Sequence, residues 1–477
     1  MRQHFFKFTL IIFLIIIFYG CTDSRYLSEK LFWQAEREAS KILKKGRKNL
    51  DETDYRKLIA IYRKVSDNCP LQELGAKSQF IITQFYILQG KYKEAQRELT
   101  QIINNFSSKP EIASRAQFAI GRLYESQGKW EKALKEYEKI MDLYPLTPVG
   151  LNMPLYFLRY YRNINDAQEE DKSYRQGIRY YYKLINEFAE TQVIPVVKDY
   201  LAFLHLAKGE WQKAIKVWDE IIDEYPESAQ AIKAFLLKAE TYLNKTKDLS
   251  RAINVYREFL NRYPKHKLSG EVKIKLAKSY YSNSQIEDAK KTYLEIIKDY
   301  SQNPTLTLQA YIGLSYCYRE EADTQKVMEI YNKIKNNYPE TKQALSIPFL
   351  VAQYYQQIKY ASKAERAFKD AIKEYKRVLQ DDKKKPWMKR EAENFLALCY
   401  IKTKKWDKAL FLLRSLADRY PKNPIYLLDL ASVYRNLNAV DKAIDVYQEL
   451  INRYPNNEFI VNLSRSQITS LKEDVSQ

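Results

Sequence analysis

The sequence predicts an all-α fold, a solenoid of about eleven helical hairpins stacked end to end. Two observations predict it: one helical pattern returns every 34 to 45 residues, and glycine is scarce, with 11 residues in 477. The clearest copy runs from Ala252 to Pro264, where apolar side chains recur three or four residues apart, as on one face of a helix. The preceding segment, 227–243, is helical and apolar on more than one side. Paired helices of this kind bury their faces only by stacking on neighbouring pairs.

Each copy contains one small or aliphatic reference residue, which we call the anchor of the repeat. Eleven residues after the anchor, ten of the eleven copies carry an aromatic residue, and four residues after it nine do. Because aromatic residues make up 14% of the chain, chance does not explain this alignment. Proline follows at the twelfth position in seven copies. The anchors are Leu58, Ala95, Ala133, Gly177, Ala214, Ala252, Ala289, Val327, Ala364, Ala409 and Ala443.

Residues 1–20 predict an export signal. Lys7 precedes an unbroken apolar run over 8–19, and Gly20 closes the segment. The run is shorter than the roughly 20 residues that a membrane-spanning helix needs. A charged start, a short apolar centre and a small residue at the boundary are typical of export signals.

The small residue before Cys21 resembles the signal of bacterial lipoproteins. The resemblance implies that a lipid is attached to Cys21 and that the chain is cut before it. Thr22 follows, where an aspartate often marks retention at the inner membrane in that family, so the resemblance implies an outer-membrane address. An uncleaved anchor or an ordinary signal peptide is the alternative.

The rest of the chain divides into three predicted parts. Residues 21–28 form a polar tether, 29–455 form the solenoid, and 456–477 form a capping helix with a frayed tail. Two gaps between anchors, before Gly177 and before Ala409, are wider than the others. We expect longer loops or extended helices there, either tolerated as surface insertions or shaping a partner site.

One copy matches the pattern of a known repeat most fully, through Gly121, Tyr124, Ala133, Tyr137 and Pro145. These residues resemble the tetratricopeptide repeat, and the resemblance covers roughly the whole predicted solenoid. It implies a right-handed superhelix that binds protein partners. The Tyr-Pro endings and slightly long repeats are similar to tetratricopeptide lipoproteins of the bacterial envelope. Two such proteins are the lipoprotein of the outer-membrane β-barrel assembly machinery and the periplasmic coordinator associated with the Tol–Pal system.

The formal charge of +20 suggests anionic partners such as lipid headgroups, acidic proteins or nucleic acid. Charges of both signs alternate along the helices, however, which favours an ordinary solvated surface. An exported protein has little access to nucleic acid, so we expect no nucleic-acid partner.

No enzyme activity, cofactor or metal site is predicted. Cys69, Cys317 and Cys399 stand in separate repeats, and the last two lie among apolar neighbours, so we expect buried thiols without a disulfide bridge. His205 occupies a position that holds Tyr124 in another repeat, which indicates packing.

The 40 tyrosines fall into two groups. Those nine residues before an anchor, such as Tyr280, are expected in the hairpin core. Tyr281, Tyr316 and Tyr354 are candidates for partner binding, because tyrosines facing the concave groove stack on or hydrogen-bond to a bound peptide or glycan. A core position is the alternative for these three.

The leading hypothesis is therefore a lipid-anchored scaffold at the periplasmic face of the outer membrane, where it binds other envelope proteins. Outer-membrane protein assembly is the role that the family resemblance implies. The alternative is a module that binds peptidoglycan or another glycan and coordinates envelope or division processes. A third hypothesis, a helical part of an envelope enzyme, is supported by no motif.

Overall fold

The computed structural model describes residues 24–46 and 49–476, and in this part of the chain the regular structure consists of helices joined by short turns, with no strand. Helices with odd numbers are the first of each hairpin and are called A helices; those with even numbers are B helices. They are α1 (Ser24–Leu43), α2 (Glu52–Asn68), α3 (Glu73–Leu88), α4 (Tyr92–Asn105), α5 (Pro110–Glu125), α6 (Trp130–Leu143), α7 (Pro148–Asn163), α8 (Ala167–Glu187), α9 (Ile194–Lys208), α10 (Trp211–Glu224), α11 (Ala229–Thr241) with a π-helical turn (Tyr242–Thr246), α12 (Leu249–Arg262), α13 (Ser269–Ser282), α14 (Ile286–Asp299), α15 (Pro304–Glu320), α16 (Thr324–Asn337), α17 (Lys342–Gln357), α18 (Ala361–Gln380), α19 (Pro386–Lys402), α20 (Trp406–Arg419), α21 (Ile425–Asn436), α22 (Val440–Arg453) and α23 (Glu458–Ser476).

The chain forms two compact units, of which the first ends at Lys247 and the second begins at Asp248. The first unit contains the pairs from α1 to α10, followed by α11. The second begins with α12, continues with the pairs from α13 to α22, and ends with α23. The order of helices therefore confirms the predicted fold class, while the right-handed superhelix stays a prediction.

Within each unit, each helix packs against the next along the chain, and several consecutive A helices also touch one another. The A–A contacts join α1 to α3, α5 to α7, α7 to α9 and α9 to α11, and in the second unit α13 to α15 and α17 to α19. Consecutive B helices make no comparable contact among the described helices of either unit. The A helices therefore lie closer together than the B helices, and they form one side of each unit, the A side.

The anchors are the packing centres of the repeats. All eleven anchors are buried, and so are the residues four positions later, among them Tyr137, Tyr181 and Trp218. The tetratricopeptide-like copy shows why a small residue is needed on the facing A helix. A Cβ atom placed on Gly121 of α5 would lie 2.2 Å from Cε1 of Tyr137, so only glycine allows the buried ring to pack there.

The residue eleven positions after the anchor ends the B helix. It is the C-cap residue in ten of the eleven B helices, including Tyr144 of α6 and Tyr225 of α10. The exception is α18, which continues past Tyr375 to Gln380. Helix α8 is extended at its N-terminus. It begins at Ala167, ten residues before its anchor. The two wide gaps thus contain lengthened helices, one of the two forms that we expected.

The turn from the A helix to the B helix is also repeated. Five residues before the anchor, nine repeats place a residue at positive φ. Around Ala322 the N–H of Asp323 donates to the carbonyl oxygen of Tyr318 at 3.0 Å, and the N–H of Ala322 donates to that of Arg319 at 3.1 Å. This is the paired hydrogen bonding of a Schellman cap, which satisfies the free carbonyl groups at a helix end.

The N-terminal end of the array differs in detail from the prediction. Helix α1 begins at Ser24, inside the segment predicted as a tether, because Phe32, Ala35 and Ala39 of this helix pack into the first hydrophobic cluster. The last helix, α23, packs on α22 and buries Ile460, as a capping helix does. Residues 1–23, with Cys21 and the predicted signal, lie outside the described residues. No helix of the described part is long and apolar enough to span a membrane.

Candidate partner-binding site

Two of the three predicted partner-binding tyrosines lie together on the A side of the second unit. Tyr281 is near the end of α13 and Tyr316 is in α15, and their ring centroids are 6.3 Å apart with the rings tilted by 44°. Tyr316 is 45% exposed and Tyr281 is half-buried. We call this pair the tyrosine patch.

Tyr354 does not face a groove, and the expectation that it would is wrong. Its side chain is only 1% exposed, and its hydroxyl oxygen lies 3.2 Å from Oγ1 of Thr324. The reason lies in its position ten residues before an anchor. Cys317 and Cys399 occupy the same position in their repeats and are fully buried. Tyr354 therefore belongs to the hairpin core.

Arg319 connects the exposed and the buried tyrosine. Its guanidinium carbon lies 5.8 Å from the ring centroid of Tyr316 and 5.7 Å from that of Tyr354. Its Nη2 donates a 2.5 Å hydrogen bond to Oε1 of Gln357 on α17. Contacts between a guanidinium group and an aromatic face are worth about 0.5–1 kcal/mol at exposed sites. Arg319 thus holds the ring of Tyr316 in place before any partner arrives.

Glu320 fixes the other tyrosine of the patch. The hydroxyl group of Tyr281 donates to Oε1 of Glu320 at 2.9 Å. Burial, together with this carboxylate, raises the pKa of Tyr281 to about 12, so the phenol keeps its proton at neutral pH. The surroundings of the patch then carry one positive and one negative charge. Such a surface can stack on flat or apolar groups and exchange hydrogen bonds, but it contains no activated nucleophile.

Sequence reasoning missed Arg319 and Glu320, although the repeat register contains a signal for both. Tyr281 and Arg319 each lie eight residues before their anchors, while Glu320 and Gln357 each lie seven before theirs. The two hydrogen bonds therefore join the same pair of positions in successive repeats.

A second aromatic cluster, in the first unit, is structural. The hydroxyl group of Tyr137 donates to Oε2 of Glu125 at 2.7 Å, and Tyr156 also donates to this carboxylate. Nη1 of Arg122 donates to the hydroxyl oxygen of Tyr156 at 2.8 Å. This network ties α5, α6 and α7 together. Because Tyr137 is fully buried, its ring is not accessible to a ligand.

Cys317 and Cys399 are buried thiols, as predicted, and Cys69 is buried as well. All three are free. Burial raises the pKa of Cys317 to about 11 and that of Cys399 to about 12, so both thiols stay protonated and are poor nucleophiles.

His205 is packed in the core of the first unit, as predicted. Its Nδ1 lies 2.8 Å from the hydroxyl oxygen of Tyr174. Burial lowers the pKa of His205 to about 4, and the charge of Lys213 acts in the same direction. The imidazole is therefore neutral at physiological pH. Within the described residues, no group of three or more histidine, cysteine or carboxylate side chains is placed to hold a metal ion.

Family models match most of the repeats. One model described as the tetratricopeptide repeat matches residues 199–228, 233–266, 271–303 and 309–341, and a second with the same description matches 114–146. A model of the N-terminal tetratricopeptide region of Psidin matches 360–466. The tyrosine patch lies within the segments 271–303 and 309–341.

Comparison with solved structures gives weaker likenesses. The crystal structure of yeast Tom70 is similar at a TM-score of 0.38 and 12% identity, over 92% of this chain and 97% of that one. The structure of Naa15/Naa10 bound to HypK-THB is similar at a TM-score of 0.36 and 14% identity, over 92% of this chain and 65% of that one. No match was found among curated protein sequences. Because both scores are low, the assignment rests on the repeat models: the helical pairs that they match are tetratricopeptide repeats, a fold typical of protein–protein interaction scaffolds.

Proposed function

We propose that this protein is a lipid-anchored scaffold of the bacterial cell envelope, which binds other envelope proteins along the A side of its repeats. The observation that carries the binding function is the tyrosine patch. Solenoids bind partners along extended surfaces, and the patch lies on the side where consecutive A helices approach one another.

The patch has the properties of a binding anchor. Tyr316 presents a large aromatic face at low cost in conformational entropy, and tyrosine is enriched among residues that dominate binding energy. Arg319 and Glu320 hold the two rings through contacts that exist without a partner. A pre-organised surface loses less entropy on binding, which favours affinity.

The envelope address is supported by the sequence pattern around Cys21. A lipid on this cysteine would keep the repeats at the membrane, and lipoproteins of this class carry several acyl chains, which gives stable attachment. Cys21→Ala is expected to move the protein from the membrane fraction to the soluble fraction of lysed cells. An unchanged distribution would contradict the anchor. Retention at the inner membrane would leave the scaffold function but remove a role in outer-membrane assembly.

Binding along the A side is tested with a photo-crosslinking amino acid at position 316 in the native envelope. The matched control is position 182, because Tyr182 is 51% exposed on the B helix α8. We expect position 316 to capture a defined protein that position 182 does not capture. Equal capture at both positions, or none at 316, would argue against the A side as the binding surface.

A glycan is the alternative ligand, since the exposed face of Tyr316 also suits stacking on a sugar ring. Sedimentation with purified sacculi separates the two functions. Binding to sacculi that Tyr316→Ala weakens, without a protein captured at 316, would favour the peptidoglycan-associated module.

A further inference from the structure

A second recess in the second unit has no role in the tyrosine patch. It is a groove of ≈ 710 Å³ beside α18, and its floor is formed by Ala364, Phe368 and Ile372. The turn before α18 and the turn between α19 and α20 form its rim. Its volume lies within the range of about 300–1,000 Å³ that is typical of small-molecule clefts.

The groove is open because the repeat of Ala361 lacks a bulky side chain at one position. Ala361 lies three residues before its anchor. In nine of the other ten repeats this position holds an aromatic or branched apolar residue, and Thr324 is the remaining one. The nine residues are Tyr55, Tyr92, Trp130, Tyr174, Trp211, Leu249, Ile286, Trp406 and Val440.

Where the bulky side chain is present, it covers the end of the next A helix. The ring of Trp130 stacks on Tyr160 of α7, and the hydroxyl group of Tyr174 reaches His205 of α9. The methyl group of Ala361 is too short to cover α19 in this way. The space over the last turn of α19 therefore stays open, and Lys402 and Thr403 border it.

The charges around the groove are strongly unbalanced. Four lysines line it, against one carboxylate, that of Glu365. Among the described residues, none of these four ammonium groups forms an ion pair. The lysines are Lys359, Lys369, Lys402 and Lys405.

Some lysines elsewhere in the same unit pair with carboxylates. Lys335 pairs with Glu374 at 2.8 Å, and Lys385 pairs with Glu340 at 2.7 Å. What distinguishes the four lysines of the groove is that they lie together around one recess that holds a single carboxylate. Together with the apolar floor, they make a site that is complementary to a ligand both apolar and anionic.

We propose that the groove receives a segment of a partner protein that carries one large apolar side chain flanked by carboxylates. The inference rests on the proposed scaffold function and specifies the chemistry of the partner. A protein segment fits better than a membrane surface, because the floor is recessed: Phe368 is 3% exposed and Ile372 9%. A flat bilayer surface contacts protruding side chains and cannot reach such a floor.

The test uses the full chain and three fluorescently labelled peptides. The first has tryptophan and leucine between pairs of glutamates, the second has the same centre between pairs of lysines, and the third has two glycines between the glutamates. We expect the first peptide to bind at least about tenfold more tightly than either of the others, a difference of about 1.4 kcal/mol. Equal affinities for the three peptides, or no binding of the first, would overturn the proposal.

Ala361→Trp is the decisive variant, because it restores the side chain that other repeats carry and fills the groove. It is expected to weaken binding of the first peptide at least about tenfold without lowering the thermal midpoint of unfolding. Lys402→Glu with Lys405→Glu should weaken it similarly. The matched control is Lys376→Glu with Lys383→Glu, two exposed lysines outside the groove, which should leave the affinity unchanged. Unchanged affinity in Ala361→Trp would show that the groove is not the binding site.

Binding to vesicles that contain phosphatidylglycerol tests whether a lipid, instead of a peptide, occupies the groove. If the vesicles bind and Ala361→Trp abolishes that binding while the peptides fail, the occupant is a lipid and the proposal is wrong. Failure of the groove is distinguishable from failure of the scaffold function. In the first case position 316 still captures its partner in the envelope, whereas in the second case it does not.

Discussion

The hydroxyl group of Tyr281 donates a 2.9 Å hydrogen bond to Glu320, which belongs to the next repeat. The bond fixes the ring of Tyr281 in the tyrosine patch and leaves the neighbouring ring of Tyr316 exposed. Tyr316→Ala should therefore weaken binding of the partner captured at position 316 by at least about tenfold, as expected for a residue that dominates an interface. The measurement is a binding titration of the purified pair.

The fold should tolerate this change, because the side chain of Tyr316 is almost half exposed. We expect its effect on the free energy of unfolding to stay within about 1 kcal/mol, the size of the lost contact with Arg319. Tyr182→Ala serves as the control of equal chemistry on a B helix. If Tyr182→Ala weakened the complex as much as Tyr316→Ala, the A side would have no special role.

Gly121→Ala tests the packing that the tetratricopeptide pattern encodes. The new methyl carbon would lie 2.2 Å from Cε1 and 2.6 Å from Cδ1 of the buried Tyr137, so α5 and α6 must move apart. Overpacking of this kind costs about 1–3 kcal/mol of unfolding free energy. Denaturation with urea would measure the loss.

Gly128→Ala is the comparison, because nothing lies within 4 Å of a Cβ atom there and only its φ of +71° is unfavourable. We expect it to cost about 1 kcal/mol. If Gly121→Ala cost no more than Gly128→Ala, crowding against Tyr137 would not be the dominant reason for glycine at position 121.

The repeat register explains what the sequence could and could not predict. Anchors and their aromatic partners recur in one chain, so the helices and their buried faces follow from local spacing. Tyr354 lies ten residues before its anchor, a position that is also buried at Cys317, whereas Tyr316 lies eleven residues before its anchor and is exposed. Arg319 and Glu320 act through contacts between repeats: the register shows that their positions recur, and only the stacking of the repeats shows that these positions touch.

The lengthened helices show a different limit of prediction from the sequence. The wide gap before Gly177 is compatible with a loop or with a helix. The structure starts α8 early because Asp166 caps it, with Oδ1 accepting from the N–H of Glu169 at 3.0 Å, and because Ser173 and Tyr174 are buried. The cap and the burial of these side chains together determine where α8 begins, and only the cap can be predicted from the local sequence.

Ala322→Gly should stabilise the protein. Ala322 has a φ of 55°, a conformation that costs an L-residue about 1–2 kcal/mol and costs glycine little. Part of the gain is lost because glycine has more freedom in the unfolded chain, so we expect an increase in unfolding free energy of about 0.5–1 kcal/mol. Chemical denaturation at pH 7 would measure it.

Asn438→Gly is the natural comparison, with a φ of 53° in the equivalent turn. Asparagine tolerates this conformation better than alanine, so its gain should be smaller. A larger gain at position 438 than at 322 would contradict the strain argument.

His205 should make the stability of the first unit depend on pH. Its pKa in the folded chain, about 4, lies below the ordinary value of 6.5, so the unfolded chain binds a proton that the folded chain does not between these values. The contribution of the neutral ring is fully present above pH 6.5 and is lost as the pH falls toward 4.

His205→Tyr introduces the residue that Tyr124 provides at the equivalent position of another repeat, and it removes this titration. We expect wild type to lose up to about 3 kcal/mol more than His205→Tyr between pH 7 and pH 4, measured by urea denaturation. Carboxylates titrate alike in both proteins, so their effects cancel in the difference, and parallel pH profiles would show that His205 is protonated in the folded chain as readily as in the unfolded one.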